Sequence, residues 1–526
     1  MLIRPFSLRS ASRPHQNIGR RGFLRATLGA VCAAVPAGRL WADAATPGVI
    51  PAQLPTVSLA GKPLTIAASD IKDLRAGLKG PLLLARDAGY DSARRLWNPA
   101  FDRHPALIAR CAGAEDVARA VSFARAHGLL TAVRGGGHSL SGQSACDGGL
   151  MIDLQPMKDI QVDAKGRRAV AQGGVLLGEL DRRTQAIGLA TTMGTATDTG
   201  IAGLTLGGGM GRLMRIHGLS IDNLLSVNIV TADGKLRHAS TTENPDLFWA
   251  VRGGGGNFGV VTDFEYRLHP FNHKMLSGFC IYPYSQARAV FAAVTELAAA
   301  APDELMLAVA LDSGQLVPKG GLFAGWLVDY CGQDPAVGEK LLEPLRKLGE
   351  PLMNTVSAVS YLAAQGAEGA ANAAVPDPGS NAPNSYTKTG FFYSTPAALF
   401  DELVRRFEAL PSTVPSIAAM SQMGGAVARR SRTATAFWNR PALYDFLLSG
   451  NWTDRSRDQS HIQALRQAWA GIEKFTEGYY VNTEPGAEDK RLRATYGENY
   501  PRLVQIKNKY DPENLFRLNA NIRPSA

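Results

Sequence analysis

Val133–Gly142 reads VRGGGHSLSG: three consecutive glycines run straight into a histidine, and two serines follow. The residues just upstream, LTAVRG, predict a short buried strand. GAEDVARAVSFARAHGL (Gly113–Leu129) predicts a helix that closes near a glycine. A strand that empties into consecutive glycines can cradle a phosphate, hold a metal or present a nucleophile, and the neighbouring residues test each option. GK followed by Ser or Thr occurs nowhere in the chain, which excludes a P-loop. The nucleophile elbow GxSxG fails because the fifth residue of GHSLS is Ser141. His138 has no histidine or carboxylate three or four residues on, and the pair in HPFNH (His269 and His273) sits on a proline-broken loop, so no metal site is predicted.

Two further glycine clusters follow, Gly207–Gly209 and Gly253–Gly256. Gly254–Gly259 fits GxGxxG, but the residues after it (Val260–Leu268) predict a strand where a dinucleotide fingerprint needs a helix. What survives is backbone shape. Glycines let N–H groups approach a diphosphate without a Cβ in the way, with Arg134 adding charge and Ser139 a hydroxyl. LTLGGGMG (Leu204–Gly211) offers a second such surface, against which a flat ring can lie.

The 526 residues are 45% apolar, enough for two cores, and no membrane-length apolar run lies in the body of the chain. The first 44 residues predict a twin-arginine export signal: Arg20-Arg21-Gly22-Phe23-Leu24, an apolar stretch, then Ala42-Asp43-Ala44. They carry seven arginines and one aspartate, so their removal takes the formal net charge from +10 to +4, too weak and dispersed for nucleic-acid binding. Cys111, Cys146, Cys280 and Cys331 remain, with no CxxC pair. GGLMIDL, RRAVAQGG, SVNIVTADG and GVVTDFEYRL predict strands, alternating with helices to about residue 270. Longer helices such as SQARAVFAAVTELAAAAP follow, and Leu362–Tyr386, rich in Ala, Gly, Asn and Pro, reads as a surface loop.

Four segments in order, Val133–Leu154, Ala171–Gly211, Asn244–Thr262 and Tyr496–Ile522, resemble the FAD-linked oxidases of the berberine bridge enzyme-like group. These carry a vanillyl-alcohol-oxidase (PCMH) type of FAD domain, and the resemblance runs from about Arg95 to the C-terminus. It implies an α+β fold in which a two-part FAD-binding domain (95–270 and 476–526) flanks a substrate domain (271–475) whose antiparallel sheet is covered by helices. An N-terminal leader (45–94) follows the signal (1–44). It also implies a single covalent bond from His138 to the flavin 8α-methyl, because Ala196 stands where many relatives carry a second, cysteinyl link. Arg134, Gly135, Gly136, Gly137, Ser139, Gln143, Gly194, Thr195, Thr199, Gly200, Gly203, Gly207, Gly208, Val261, Asn482 and Asn519 are the implied FAD contacts, with Asn521 beside the last. Tyr480 matches the family's YxN[Y/F] segment, in which Thr483 here replaces the aromatic.

The activity so implied is oxidation of a sugar, oligosaccharide or secondary-metabolite alcohol. A base takes the hydroxyl proton, hydride passes to flavin N5, and O2 becomes H2O2. Alternatives are a dehydrogenase using another acceptor and a flavin carrier without turnover. An ordinary phenol, with pKa near about 10, must be activated to act as a base. Tyr480 is the first candidate, ahead of Tyr479, with Tyr386 and Tyr393 behind. Thr199 stands at the position of the family's oxygen gate. Trp438 and Trp452 can stack on a sugar, although tryptophans are more often core.

Overall fold

The computed structural model describes residues 49–317, 321–368, 383–483 and 489–525. The proposed signal peptide therefore lies outside the described residues. A four-stranded sheet in the order Leu82–Leu83, Leu107–Arg110, Leu150–Asp153, Thr131–Arg134 delivers the Val133 stretch. Its three longer strands run parallel. The helix Ala114–Ala126 crosses between two of them, burying Val117, Ala120, Val121 and Ala124 on one stripe. In its first turn Asp116 accepts hydrogen bonds from the backbone N–H groups of Lys79, Gly80 and Ala112, fixing the helix to the preceding chain.

The residues expected as a leader are part of this unit. Gln53–Val57 and Pro63–Ala67 pair as a hairpin, and Ile66, Ile71 and Leu74 join its core. A second, antiparallel sheet of five strands follows: Leu236–Ser240, Leu224–Val230, Val260–Arg267, Arg168–Gln172 and Ile160–Asp163. The strands read from RRAVAQGG, SVNIVTADG and GVVTDFEYRL are all here. The last residues return to the same unit. Lys507 Nζ, fully buried, donates to Asp511 and to the carbonyls of Asn257 and Phe516, and Asn257 in turn holds Ala520 and Ile522.

Between these parts an eight-stranded antiparallel sheet runs from Met275 to Trp452. Alternation explains its two faces. Leu305, Leu307, Val309 and Leu311, with Phe446 and Leu448, form a core against the helices Ala287–Ala299, Ala397–Glu408 and Asp458–Ile472. The residues between them, Met306, Ser421, Asp445 and Leu447, point to the opposite face, toward the first unit. The Leu362–Tyr386 reading needs correction at its ends. Tyr361–Ala364 is a helical turn, and Asn384–Phe392 is an edge strand of nine residues. The residues between them, 369–382, lie outside the described ones. Trp452 is buried core, its indole N–H donating to Asp458, and Trp438 stands under Arg432 with the guanidinium 4.7 Å from its ring. The four described cysteines are buried and free.

At the junction of the units His217 and His269 stack with ring centroids 3.7 Å apart, and His269 Nε2 meets Asn223 Oδ1 at 2.7 Å. Burial pushes both imidazoles down to about 4 from an ordinary 6.5. The unfolded chain therefore takes up protons between those two pH values that the folded chain refuses, and stability falls as pH drops through that window. The melting temperature of His217→Asn is expected to change less between pH 6.5 and 4.5 than that of the parent. Parallel curves would count against the pair as the source.

Candidate active site

The cavity between the first unit and the sheet face has a volume of about 310 Å³, in the range of cofactor sites. One wall is the glycine loops. Gly137 is left-handed, with φ of 74°, so the chain turns at once after the strand. Gly136 lies against the opposite loop so closely that a Cβ would stand 2.4 Å from Gly200 N. Because both sides of that contact are backbone, Gly136→Ala is expected to push the loops apart and cut cofactor content at least tenfold, on the scale of an overpacked core. Bound flavin absorbance per mole of purified protein measures it.

His138 lines the cavity. Its ring stacks on Trp97 at 4.4 Å, and Nε2 stands 3.6 Å from Asp198 Oδ1. Gly135, Gly136, Gly137, Ser139, Gln143, Gly194, Thr195, Thr199, Gly200, Gly203, Val261, Tyr480, Asn482 and Asn519 line it as well, and so does Ala196. Ser139 and Gln143 also shape the loop, the Gln143 N–H donating to Ser139 Oγ and its side chain to the Asn519 carbonyl.

Four of the expected residues stand elsewhere. Arg134 is buried with its guanidinium turned to Asp153, Gln155 and the Arg95 carbonyl, so its charge is neutralised behind the loop. Gly207 and Gly208 lie behind the wall. A Cβ on Gly207 would meet Asn482 within 2.5 Å, and one on Gly208 would meet Phe437 at 3.0 Å, so these glycines make room for neighbours and not for a ligand. Tyr479 is core, with Arg491 stacked 5.3 Å from its ring centroid. Of the weaker candidates, the Tyr386 hydroxyl accepts from Arg466 at the surface, and the Tyr393 hydroxyl donates to Asn439; neither lines the cavity. Asn521 lies beyond it too.

The opposite wall was not legible beforehand: Met306, Thr387, Thr389, Ser421, Asp445 and Leu447, all from the large sheet. Among the described lining residues the ionisable side chains are those of His138, Asp445 and Tyr480. Asp445 is 4% exposed, its Oδ1 has no hydrogen-bond partner, and burial holds its carboxyl above the ordinary carboxylate value. The Tyr480 oxygen accepts from the Gly209 N–H at 3.1 Å and Asn482 Nδ2 at 2.9 Å. Burial nevertheless pushes the phenol up to about 12, those two donors pull it down, and the charge of Asp445 pushes it up again.

A FAD fits this wall on its own evidence. Buried Ser144 Oγ and Asn519 Oδ1, both on the cavity, lack partners within the protein, as polar groups awaiting a ligand do. The Gly136–Gly200 approach supplies the Cβ-free surface.

A model described as FAD binding domain matches residues 105–240, and one described as berberine and berberine like matches 479–523. The chain is 32% identical over 455 residues to the FAD-linked oxidoreductase YgaK of Bacillus subtilis, spanning 85% of this chain and 97% of that protein. It is 31% identical over 465 residues to (R)-6-hydroxynicotine oxidase of Paenarthrobacter nicotinovorans, with the same coverage of 85% and 97%. A chitooligosaccharide oxidase structure superposes with a TM-score of 0.75 at 26% identity, covering 87% of this chain and 100% of that one.

Proposed function

From the membership of this chain in the berberine bridge enzyme-like family of FAD-linked oxidoreductases, we propose that it is an oxidase whose FAD is bonded to His138 and whose proton acceptor is Asp445. The observation that carries the reading is the buried carboxyl with one unpartnered oxygen, facing the same space as the glycine loops. Held by the glycine loops and His138, a bound flavin would supply the hydride acceptor and the route of the electrons to O2, giving H2O2.

The residues divide the proton chemistry by their acidities. Tyr480, at about 12, keeps its proton at neutral pH, and its oxygen already accepts two hydrogen bonds. The phenol proton is therefore available to a substrate oxygen, where it steadies charge developing as the substrate hydroxyl is deprotonated. Asp445, the carboxylate on the facing wall of the cavity, takes the substrate hydroxyl proton. The role first expected of Tyr480 thus passes to Asp445, with Tyr480 as donor. Met306, Met210 and Leu447 supply apolar lining to the same cavity.

The substrate we propose is a small alcohol or a sugar. No tryptophan is among the described lining residues, so sugar stacking on Trp438 or Trp452 is not part of the reading. The unpartnered Asp445 oxygen favours a second reading, a basic amine held by its N–H, as the name of the hydroxynicotine relative suggests for that protein. Thr199, on the cavity and of modest size, supports O2 as acceptor over a dehydrogenase acceptor. The Arg20-Arg21 pattern supports export by the twin-arginine route, testable by fractionating the producing cell.

Anaerobic mixing of the enzyme with chitobiose, xylobiose, simple alcohols and (R)-6-hydroxynicotine, followed by aeration, tests the proposal. Bleaching of the flavin followed by rapid recovery with peroxide supports an oxidase, and bleaching without recovery supports the dehydrogenase. No bleaching with any compound leaves the carrier reading.

A further inference from the structure

Tyr480 enters the site on a short turn closed by the Thr483 N–H donating to the Tyr480 carbonyl at 3.0 Å, and a ring of hydrogen bonds through two threonines from different parts of the chain ties that turn to the large sheet. The Tyr480 N–H donates to Thr389 Oγ1 at 3.2 Å. Thr389 Oγ1 lies 2.7 Å from Thr483 Oγ1, and Thr483 Oγ1 donates to the Tyr480 carbonyl at 2.6 Å. Counting protons settles every direction. The Thr483 proton is committed to a carbonyl, which can only accept, so the contact between the hydroxyls must be donated by Thr389. Each hydroxyl then donates once and accepts once, and both are buried, at 2% and 7% exposure, with little access for water to replace a lost partner.

The ring joins the two units across the site. Thr389 belongs to the edge strand Asn384–Phe392 of the large sheet, whereas Tyr480 and Thr483 belong to the returning C-terminal segment. Both threonines line the cavity. The ring seizes the backbone of Tyr480 at its N–H and its carbonyl, while Gly209 and Asn482 seize the phenol oxygen. With both ends of one residue fixed, the direction of the phenol O–H is set before any ligand arrives, which is how a positioned donor avoids reorganisation during reaction.

We infer that Thr389 and Thr483 are positioning residues for Tyr480, together locking its phenol in the two-donor seat. The inference rests on the role proposed above for Tyr480. Valine has nearly the shape of threonine without the hydroxyl, so Thr389→Val and Thr483→Val break the ring with little change of volume. Serine keeps the hydroxyl, so Thr389→Ser and Thr483→Ser should preserve it.

The test uses full-length holoenzyme labelled with 3-fluorotyrosine, its Tyr480 fluorine line assigned by its disappearance in Tyr480→Phe. Both valine variants are expected to shift or split that line, and both serine variants to restore it. Flavin reduction by the most active compound of the panel should slow at least fivefold in the valine variants, with melting temperatures recorded alongside. A Tyr480 line unmoved in both valine variants overturns the inference. So does a shift that serine fails to reverse in variants that remain folded. A line that moves as expected while Tyr480→Phe reduces its flavin at the parent rate upholds the lock and overturns the role of Tyr480. The two failures are thereby told apart.

Discussion

Asp445→Asn is expected to slow flavin reduction by a factor of about 10² to 10⁴, the span usual for loss of a general base, with flavin content unchanged. The substitution keeps the shape of the side chain and removes its ability to take a proton. Asp445 sits on the sheet face and not on the glycine loops of the opposite wall, so binding and chemistry should separate cleanly. The parent enzyme should also show an acid limb. Burial raises the carboxyl above its ordinary value, so the active, ionised form is lost as pH falls through that raised value, and the rate falls with it. In Asp445→Asn the limb should vanish. Tyr480→Phe should cost less, roughly tenfold, because it removes a donor and leaves the acceptor in place. Stopped-flow reduction across pH 5–9 measures all three. An Asp445→Asn enzyme that reduces its flavin within a factor of two of the parent would return the base role to another group.

His138→Ala is expected to free the flavin from the polypeptide entirely while leaving much of it bound under native conditions. The cavity still offers Asn519, Ser144 and the Gly136–Gly200 surface, none of which depends on the histidine. The proposed tether and its electron-withdrawing effect should be lost with the histidine. The couple should become less oxidising, and about 30 mV in a two-electron couple is a tenfold change in equilibrium constant. Substrate oxidation should therefore slow at least tenfold beyond any loss of cofactor. Trp97 and Asp198, which hold the ring from its face and its edge, should tolerate replacement less well than the exposed residues of the loop. Potentials from dye-coupled reduction of both proteins provide the check; equal potentials would detach the histidine from the electronics of the flavin.

Much of the glycine wall could be read from the chain because its residue types are constrained locally. A strand ending in Gly135–Gly137 admits few conformations, whereas Gly200, which caps the helix Ile201–Leu206, and Gly203 inside it came only with the family resemblance. Gly207 and Gly208 looked alike on paper, yet their space is filled by Asn482 and Phe437 from distant segments, which local patterns cannot register. Arg134 misled for a related reason. A cation beside glycines suggests a phosphate, but Asp153 on the neighbouring parallel strand neutralises it first.

Asp445 was missed although its signal was present. In PALYDFLLSGNW one carboxylate interrupts an apolar run. Tyr444, Phe446 and Leu448 share one face of the strand, leaving Asp445 and Leu447 on the other. Parity marks that face as different. Only the pairing of the strand beside Ser416–Gln422, and the return of the C-terminal segment across it, show that it faces a cavity. Thr389 and Thr483 were less legible still, since two threonines about ninety residues apart acquire meaning only when Tyr480 lies between them.

The most direct test of the account is whether flavin stays with the chain. Protein made with ample riboflavin, precipitated in acid and redissolved in denaturant, should retain a flavin spectrum in the polypeptide fraction, and the same treatment of His138→Ala should send it all to the supernatant. Flavin in the supernatant of the parent would mean binding without the bond. A colourless pellet over a colourless supernatant would contradict the central claim that this cavity is built for FAD.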